Sequence, residues 1–241
     1  MKKINISVVI PAYNEEKRIS HTLYRIDKFL FEKGYSYEII VVNDGSTDGT
    51  AKVVNSLKPY INNLKLINLP ENKGKGFAIK TGVLKANGEV ILFTDADNST
   101  DISHLNTFLQ YLQESYDIVI ASRALPLSKI PKKQPIYRRV LSKLGNKIIN
   151  LLFSLNIKDT QCGFKLFKKD VAKNIFKKLT IDRWGFDIEI LVIAKCLNYK
   201  VKEKEVEWIN DPNSKVKLID FFKTFKELIN IKYNLITNKY Q

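Results

Sequence analysis

The first half of the chain repeats one alternation, and few folds accommodate it. Short apolar runs stand at 4–10 (I-N-I-S-V-V-I), 37–43 (Y-E-I-I-V-V-N), 64–69 (L-K-L-I-N-L), 90–94 (V-I-L-F-T) and 117–121 (D-I-V-I-A). Between them lie stretches of helical character at about 15–33, 47–58, 75–86 and 101–114. Runs of this length, rich in Val and Ile and bounded by Asn, Asp, Gly and Ser, read as strands. Strands alternating with helices predict βαβ units, hence an α/β fold with a mostly parallel sheet covered on both faces. Strand twist makes the crossovers right-handed.

Open sheets of this class bind ligands beyond the carboxyl ends of their strands. The first strand delivers Pro11, Ala12, Tyr13, Asn14, Glu15 and Glu16 there, and the second delivers Asn43 to Asp48. The third is followed by N-K-G-K-G (72–76), the fourth by Asp95 and Asp97, and the fifth by Ser122 and Arg123. Each piece alone has a plain explanation. Asn43-Asp44-Gly45-Ser46 is also what a turn and helix cap look like. Together they converge on one edge and read as a nucleotide site. Tyr13, Glu15 and Asp44 are candidates for a base and ribose, with Pro11 and Ala12 beside them. Lys73, Gly74, Lys75 and Gly76 are candidates for a diphosphate. Asp95 and Asp97, two apart on extended backbone, are expected to point the same way and to share one hard cation.

The second half mixes short strands and helices over 164–210, including a helix at about 186–196. Stretches near 136–155 and 216–236 are basic and amphipathic. The expected organisation is one domain over 1–215, with a nucleotide-binding half to about 125 and an acceptor half over 126–215. A basic amphipathic helix follows in 216–241. The Pro- and Lys-containing stretch 125–135 is the candidate mobile loop.

A net charge of +15 on 241 residues asks for a polyanionic partner. No nucleic-acid motif is present, so a membrane surface or phosphorylated substrates are expected and nucleic acid is not. Two cysteines, Cys162 and Cys196, are too few for a disulfide framework or a zinc site, and a reducing compartment is the default. No stretch approaches the roughly 18 apolar residues of a membrane span, and no N-terminal signal is visible. The expectation is a peripheral protein at the cytoplasmic face of a membrane. The oligomeric state is left open.

S-V-V-I-P-A-Y-N-E-E (7–16), V-V-N-D-G-S-T-D-G-T (41–50), N-K-G-K-G (72–76) and T-D-A-D (94–97), in this order and spacing, resemble glycosyltransferase family 2. The resemblance implies the GT-A fold and inverting transfer from a nucleotide sugar, with Asp95 and Asp97 holding Mg2+ or Mn2+ on the diphosphate. Further on, Y-R-R-V-L-S-K-L-G-N (137–146), K-D-T-Q-C-G-F-K-L-F (158–167) and R-W-G-F-D-I-E (183–189) are similar to the polyprenyl-phosphate branch. The 161–165 and 205–216 segments look closer to its glucosyltransferase subgroup, and Ser99 stands where mannose synthases often carry Gln. UDP-glucose is therefore favoured over GDP-mannose, with a dolichyl- or undecaprenyl-type phosphate as acceptor.

A phosphate monoester, with a second pKa of about 6, is already largely ionised at neutral pH. It needs cations more than a base, and the resemblance points to Arg123, Arg138, Arg139 and Lys165. Asp187 lies where relatives that act on hydroxyls keep a catalytic base. It remains a candidate for catalysis beside Asp95, Asp97 and Arg123, for orienting the acceptor, or for capping a helix.

Overall fold

The computed structural model describes residues 6–131, 135–210 and 218–241, without the side chains of Tyr137, Arg138 and residues 218–222. The strands are β1 (Ile6–Ala12), β2 (Tyr37–Asn43), β3 (Leu64–Asn68), β4 (Val90–Thr94), β5 (Ile118–Ser122), β6 (Phe164–Lys168) and β7 (Val201–Glu205). The helices are α1 (Ile19–Glu32), α2 (Thr50–Leu57), α3 (Lys75–Lys85), α4 (Leu105–Glu114), α5 (Ile136–Phe153), α6 (Lys169–Lys178), α7 (Phe186–Cys196) and α8 (Leu218–Ile236).

One seven-stranded sheet runs β3-β2-β1-β4-β6-β5-β7. It is parallel except that β6 lies antiparallel between β4 and β5. Side-chain alternation sorts the core onto two faces. Val9, Ile40, Val42, Ile91 and Phe93 meet α3, α6 and α7. Val8, Ile10, Ile39, Val41 and Leu92 meet α1, α2 and α4. Each such side chain contributes about 1.5–3 kcal/mol on burial.

Several boundaries differ from expectation, three of them for plain local reasons. β1 continues through Pro11 and Ala12 because its partner β2 stays paired as far as Asn43. Pro11 gives up an N–H only near the strand end, where the loss is tolerated. α1 begins four residues late, at Ile19, after a turn in which Asn14 takes a positive φ of 53°. α2 begins at Thr50, because the Asp48 carboxylate accepts from the Thr50 N–H (3.0 Å) and makes residues 47–49 a turn.

The expected mobile loop is pinned where it is described. Lys129 N–H donates to the Val206 carbonyl (3.0 Å), and the Lys129 carbonyl accepts from Trp208 N–H (2.8 Å). Residues 132–134 lie outside the described residues. The C-terminal segment packs on the domain through Leu228, Ile231 and Tyr240. Among the described residues no helix is long and apolar enough to cross a membrane.

At the far edge of the sheet from the strand carboxyl ends, buried Glu38 ties three segments together. It accepts from Ser7 Oγ (2.6 Å), Asn87 N–H (2.6 Å) and Lys65 Nζ (2.7 Å). Burial pushes its carboxyl up, but Lys65 and the hydrogen bonds outweigh that and hold it below the ordinary glutamate range. A depressed folded pKa contributes stability above the unfolded value of about 4.3, and that stability is lost as pH falls through the folded value. Because Lys65 is half-exposed, its charge is partly screened. Glu38→Gln is expected to cost about 2 kcal/mol in urea unfolding at pH 7, with the gap closing below about pH 4. A gap unchanged from pH 7 to pH 3 would contradict this role.

Candidate active site

Strand order reverses between β1 and β4, because β2 and β3 extend the sheet to one side of β1 and β4 lies on the other. A crevice opens at such a switch point, at the strands' carboxyl ends. The loop after β1 forms one lip. Tyr13 is partly exposed there, while Glu15 is buried, with its carboxylate paired to Arg18 (Nη2 to Oε1, 2.9 Å) and its N–H donating to Thr50 Oγ1 (2.7 Å). Asp44, expected beside a ribose, is engaged by the neighbouring loop. Its carboxylate accepts from Lys73 N–H (2.8 Å), Gly74 N–H (2.9 Å) and Asn72 Nδ2 (2.9 Å). Gly74 makes this possible with a φ of 114° and a close approach, since a Cβ there would sit 2.4 Å from the Asp182 carbonyl. Gly76 packs equally closely on Ile181 and Phe186.

Asp95 and Asp97 do not continue the strand. They lie in a turn after Thr94, closed by Ser99 N–H donating to Asp97 Oδ1 (2.9 Å), with Asn98 at a φ of 53°. The reason they would face one way is therefore a turn, not extended alternation. They remain in each other's field: burial, and then the negative charge of Asp95, raise the Asp97 carboxyl above the ordinary range. Lys75 Nζ sits 2.6 Å from Asp95 Oδ1. Burial works against the Lys75 charge, but Asp95 and Asp187 outweigh it and hold its ammonium above the ordinary lysine range.

Lys165, expected on an acceptor phosphate, is fully buried instead. β6 places it opposite Phe93 of β4, and its Nζ donates to the Cys162 carbonyl (2.7 Å) and pairs with Asp187. With its charge met inside the protein, it cannot serve as a free phosphate clamp. Asp187 is buried in the first turn of α7. Its burial raises its carboxyl above the ordinary range, against the pull of Lys165 and Lys75. The four groups make a chain of alternating sign: Lys165, Asp187, Lys75, Asp95.

Arg123 follows β5 on the other side of the crevice. Its Nε and Nη2 donate to the two oxygens of Asp159 (2.7 and 2.8 Å), and its N–H donates to the same carboxylate (2.9 Å). Burial and then the Arg123 charge act in opposition on Asp159; the arginine and its hydrogen bonds prevail and hold the carboxyl low. The guanidinium lies 5.3 Å from the Trp208 ring centroid, and a quarter of the side chain is exposed. Next to it, burial pushes the Cys162 thiol up to about 12, so it stays protonated and uncharged. Arg139 is exposed on α5, and the Arg138 side chain lies outside the described residues. The structure thus brings together Lys75, Asp95, Asp97, Arg123 and Asp187, and leaves Arg139 on the surface.

Asp159, Trp208 and Gly163 were missed as site residues, although Asp159 and Gly163 stand inside the quoted 158–167 motif. Only the antiparallel return of β6 and the backbone pairing of Trp208 with Thr100 bring them to the crevice. Two mutually repelling carboxylates with oxygen donors suit a hard divalent cation. Among the described residues no group of three or more acidic, His or Cys side chains forms a complete cage. Such an ion would draw its remaining ligands from substrate and water.

The family model described as Glycosyl transferase family 2 matches residues 7–176. A dolichyl-phosphate beta-glucosyltransferase of Trichomonas vaginalis is 39% identical over 240 residues, which is 95% of this chain and 73% of that protein. The enzyme of the same name from Homo sapiens is 36% identical over 251 residues, 98% of this chain and 77% of that one. Among solved structures, glucosyl-3-phosphoglycerate synthase from Mycobacterium tuberculosis with Mn2+, uridine diphosphate and glucosyl-3-phosphoglycerate superposes with a TM-score of 0.71. It is 17% identical and covers 96% of this chain and 79% of its own. Mannosyl-3-phosphoglycerate synthase from Rubrobacter xylanophilus gives a TM-score of 0.72 at 16% identity, over 98% of this chain and 75% of its own. The architecture is the GT-A fold.

A Cβ on Gly163 would meet the Asp95 carboxylate at 2.0 Å. Gly163→Ala is expected to push that carboxylate aside and weaken Mn2+ binding at least about tenfold, with little change in melting temperature. Wild-type Mn2+ affinity by titration calorimetry in the folded variant would contradict the placement.

Proposed function

The chain belongs to glycosyltransferase family 2, and on that premise we propose that it moves one glucose from UDP-glucose to a dolichyl-type polyprenyl phosphate, with inversion. The observation that carries this reading is the position of Arg123. A partly exposed guanidinium, held by Asp159 and Trp208, rests on the 158–163 turn whose Gly163 abuts the Asp95 carboxylate. A cation for an acceptor phosphate is thereby joined through one turn to the carboxylates suited to a donor diphosphate. The names of the relatives supply glucose and dolichyl phosphate.

The residues divide the work. Asp95 and Asp97 hold Mg2+ or Mn2+, which when bound stabilises the negative charge developing on the leaving diphosphate. Lys75 places a second positive charge at that edge, already oriented by Asp95 and Asp187. Asp44 takes the Lys73 and Gly74 N–H groups, so what this loop turns to the diphosphate is the start of α3 at Lys75 and Gly76, and Tyr13 and Glu15 flank the nucleoside. Arg123 aims the acceptor phosphate. An ionised phosphate needs no general base, so Asp187 orients Lys75 and accepts no proton. A hydroxyl acceptor with Asp187 as base is the weaker reading, because that carboxylate is buried against Lys165.

The lipid half of the acceptor suits α5 and α8. Ile136, Val140, Leu144 and Leu151 are exposed on α5, and Phe225, Ile229, Tyr233 and Ile236 on α8. The helices touch where Lys232 Nζ donates to the Leu152 carbonyl (2.9 Å). Arg139, Lys143 and Lys147 are exposed beside the α5 stripe. An amphipathic surface with basic neighbours lies in a membrane interface, each charge adding about 1 kcal/mol toward anionic lipid. Free thiols at Cys162 and Cys196 fit the reducing, cytoplasmic side.

With radiolabelled UDP-glucose, Mn2+ and dolichyl phosphate in detergent, the expected product is a lipid-extractable glucosyl phosphate. Its formation should stop with EDTA and fall at least about 100-fold in Asp97→Asn. Labelling of soluble hydroxyl acceptors with dolichyl phosphate untouched would contradict the proposal. In vesicle co-sedimentation, Leu144→Asp combined with Ile229→Asp is expected to release the protein from phosphatidylserine-containing vesicles. Unchanged binding would contradict the assignment of this surface.

A further inference from the structure

The motif at 137–146 ends in Asn146, and its role is not absorbed by the site chemistry. The structure shows what Asn146 holds. Its Nδ2 donates to the carbonyls of Ile157 and Lys158 (2.9 Å each), and its Oδ1 accepts from Thr160 Oγ1 (3.1 Å). Asn150, one turn later on α5, donates to the Ile157 carbonyl (2.7 Å) and accepts from the Ile157 N–H (3.1 Å). The opposite side of the same loop faces Glu203 of β7. Its two carboxylate oxygens accept separately from Lys158 N–H (2.8 Å) and Asp159 N–H (3.0 Å).

Loop 157–160 is thus clasped from both sides, the carbonyls of Ile157 and Lys158 by amides and the N–H groups of Lys158 and Asp159 by a carboxylate. A carboxylate on two successive N–H groups fixes the peptide planes and so the direction in which the next side chain leaves. That side chain is Asp159, which takes both arms of Arg123. Arg123 uses two of its five N–H donors on Asp159, so its remaining face is aimed by whatever aims Asp159.

We propose that Glu203, with Asn146 opposite it, is a positioning residue for acceptor-phosphate recognition, acting through Asp159 on Arg123. The proposal rests on the reading of Arg123 as the acceptor's cation. Glu203 touches neither substrate. It stands on the edge strand, with Ile120 of β5 as its register partner, at the opposite end of this chain of contacts from Arg123. A rigid clasp matters because a guanidinium misplaced by about 1 Å costs roughly a hundredfold in rate. Gln at position 203 would turn an amide N–H₂ toward a backbone N–H and break one arm of the clasp, with volume preserved.

The test is steady-state kinetics of the full chain with UDP-glucose and dolichyl phosphate in detergent, varying each in turn. Glu203→Gln is expected to raise the acceptor KM about tenfold, leave the donor KM within about twofold, and keep the Mn2+ affinity. Glu203→Asp, which restores charge with a shorter reach, is expected to recover part of the loss, and Asn146→Ala to reproduce the Gln phenotype. Arg123→Gln serves as the separate control on the underlying reading. If Arg123→Gln raises the acceptor KM and Glu203→Gln does not, the clasp is overturned. If Arg123→Gln leaves the acceptor KM at the wild-type value, the acceptor reading itself fails. Equal losses in donor and acceptor KM in Glu203→Gln would mark a general structural role and also overturn the proposal. Should Glu203→Gln not fold, Glu203→Asp and Asn146→Ala are judged by the same criterion.

Discussion

Charges of alternating sign, Lys165, Asp187, Lys75 and Asp95, cross the crevice from the sheet interior to its rim. Burying a lone ammonium in the middle of a sheet is costly, and burying it against a carboxylate is tolerable only if the pair is held well. Antiparallel β6 is what holds it. Inserted between β4 and β5, it puts Lys165 beneath the crevice and brings Gly163 against the Asp95 carboxylate. Remove Asp187 and the fully buried Lys165 is left without its carboxylate. The same strand positions the turn at 158–162 that receives Arg123. The electrostatics on both sides of the crevice thus depend on one reversed strand.

The C-terminal half supports that core from outside. Tyr240 donates to Glu189 (2.7 Å), and Glu189 in turn accepts from the N–H groups of Thr180 and Ile181 (2.9 and 2.8 Å). Glu227 of α8 accepts from Gly185 N–H (2.7 Å) at the start of α7. The segment 180–187 so braced is the surface on which Gly74 and Gly76 lie, with Phe77 N–H donating to the Asp182 carbonyl (3.0 Å). A helix that carries exposed apolar side chains is therefore linked by two hydrogen-bond steps to the loop that lines the crevice.

The parallel part of the sheet was legible because its strands are continuous apolar runs and its turns are punctuated by Asn, Asp and Gly. The meeting of Lys75 with Asp95 followed from a general rule about strand ends. What was not legible depends on pairing between distant segments. Nothing local in F-K-L-F-K distinguishes an antiparallel insertion from another parallel strand, so nothing in it shows that Lys165, which the resemblance assigned to a phosphate, lies buried against Asp187. That Asp44 would gather three donors was not legible, because they come from residues 72–74. Asp159 stood in a quoted motif with no assignment, since its partner Arg123 is 36 residues away.

The turn bearing Asp95 and Asp97 is the proposed meeting point of metal and donor diphosphate. The most direct measurement is anomalous scattering from Mn2+ in crystals grown with UDP-glucose. The expected result is a single strong peak between the two carboxylates and the diphosphate oxygens, absent in crystals of Asp95→Asn. A diphosphate bound away from this turn, or an ion held by other residues, would contradict it.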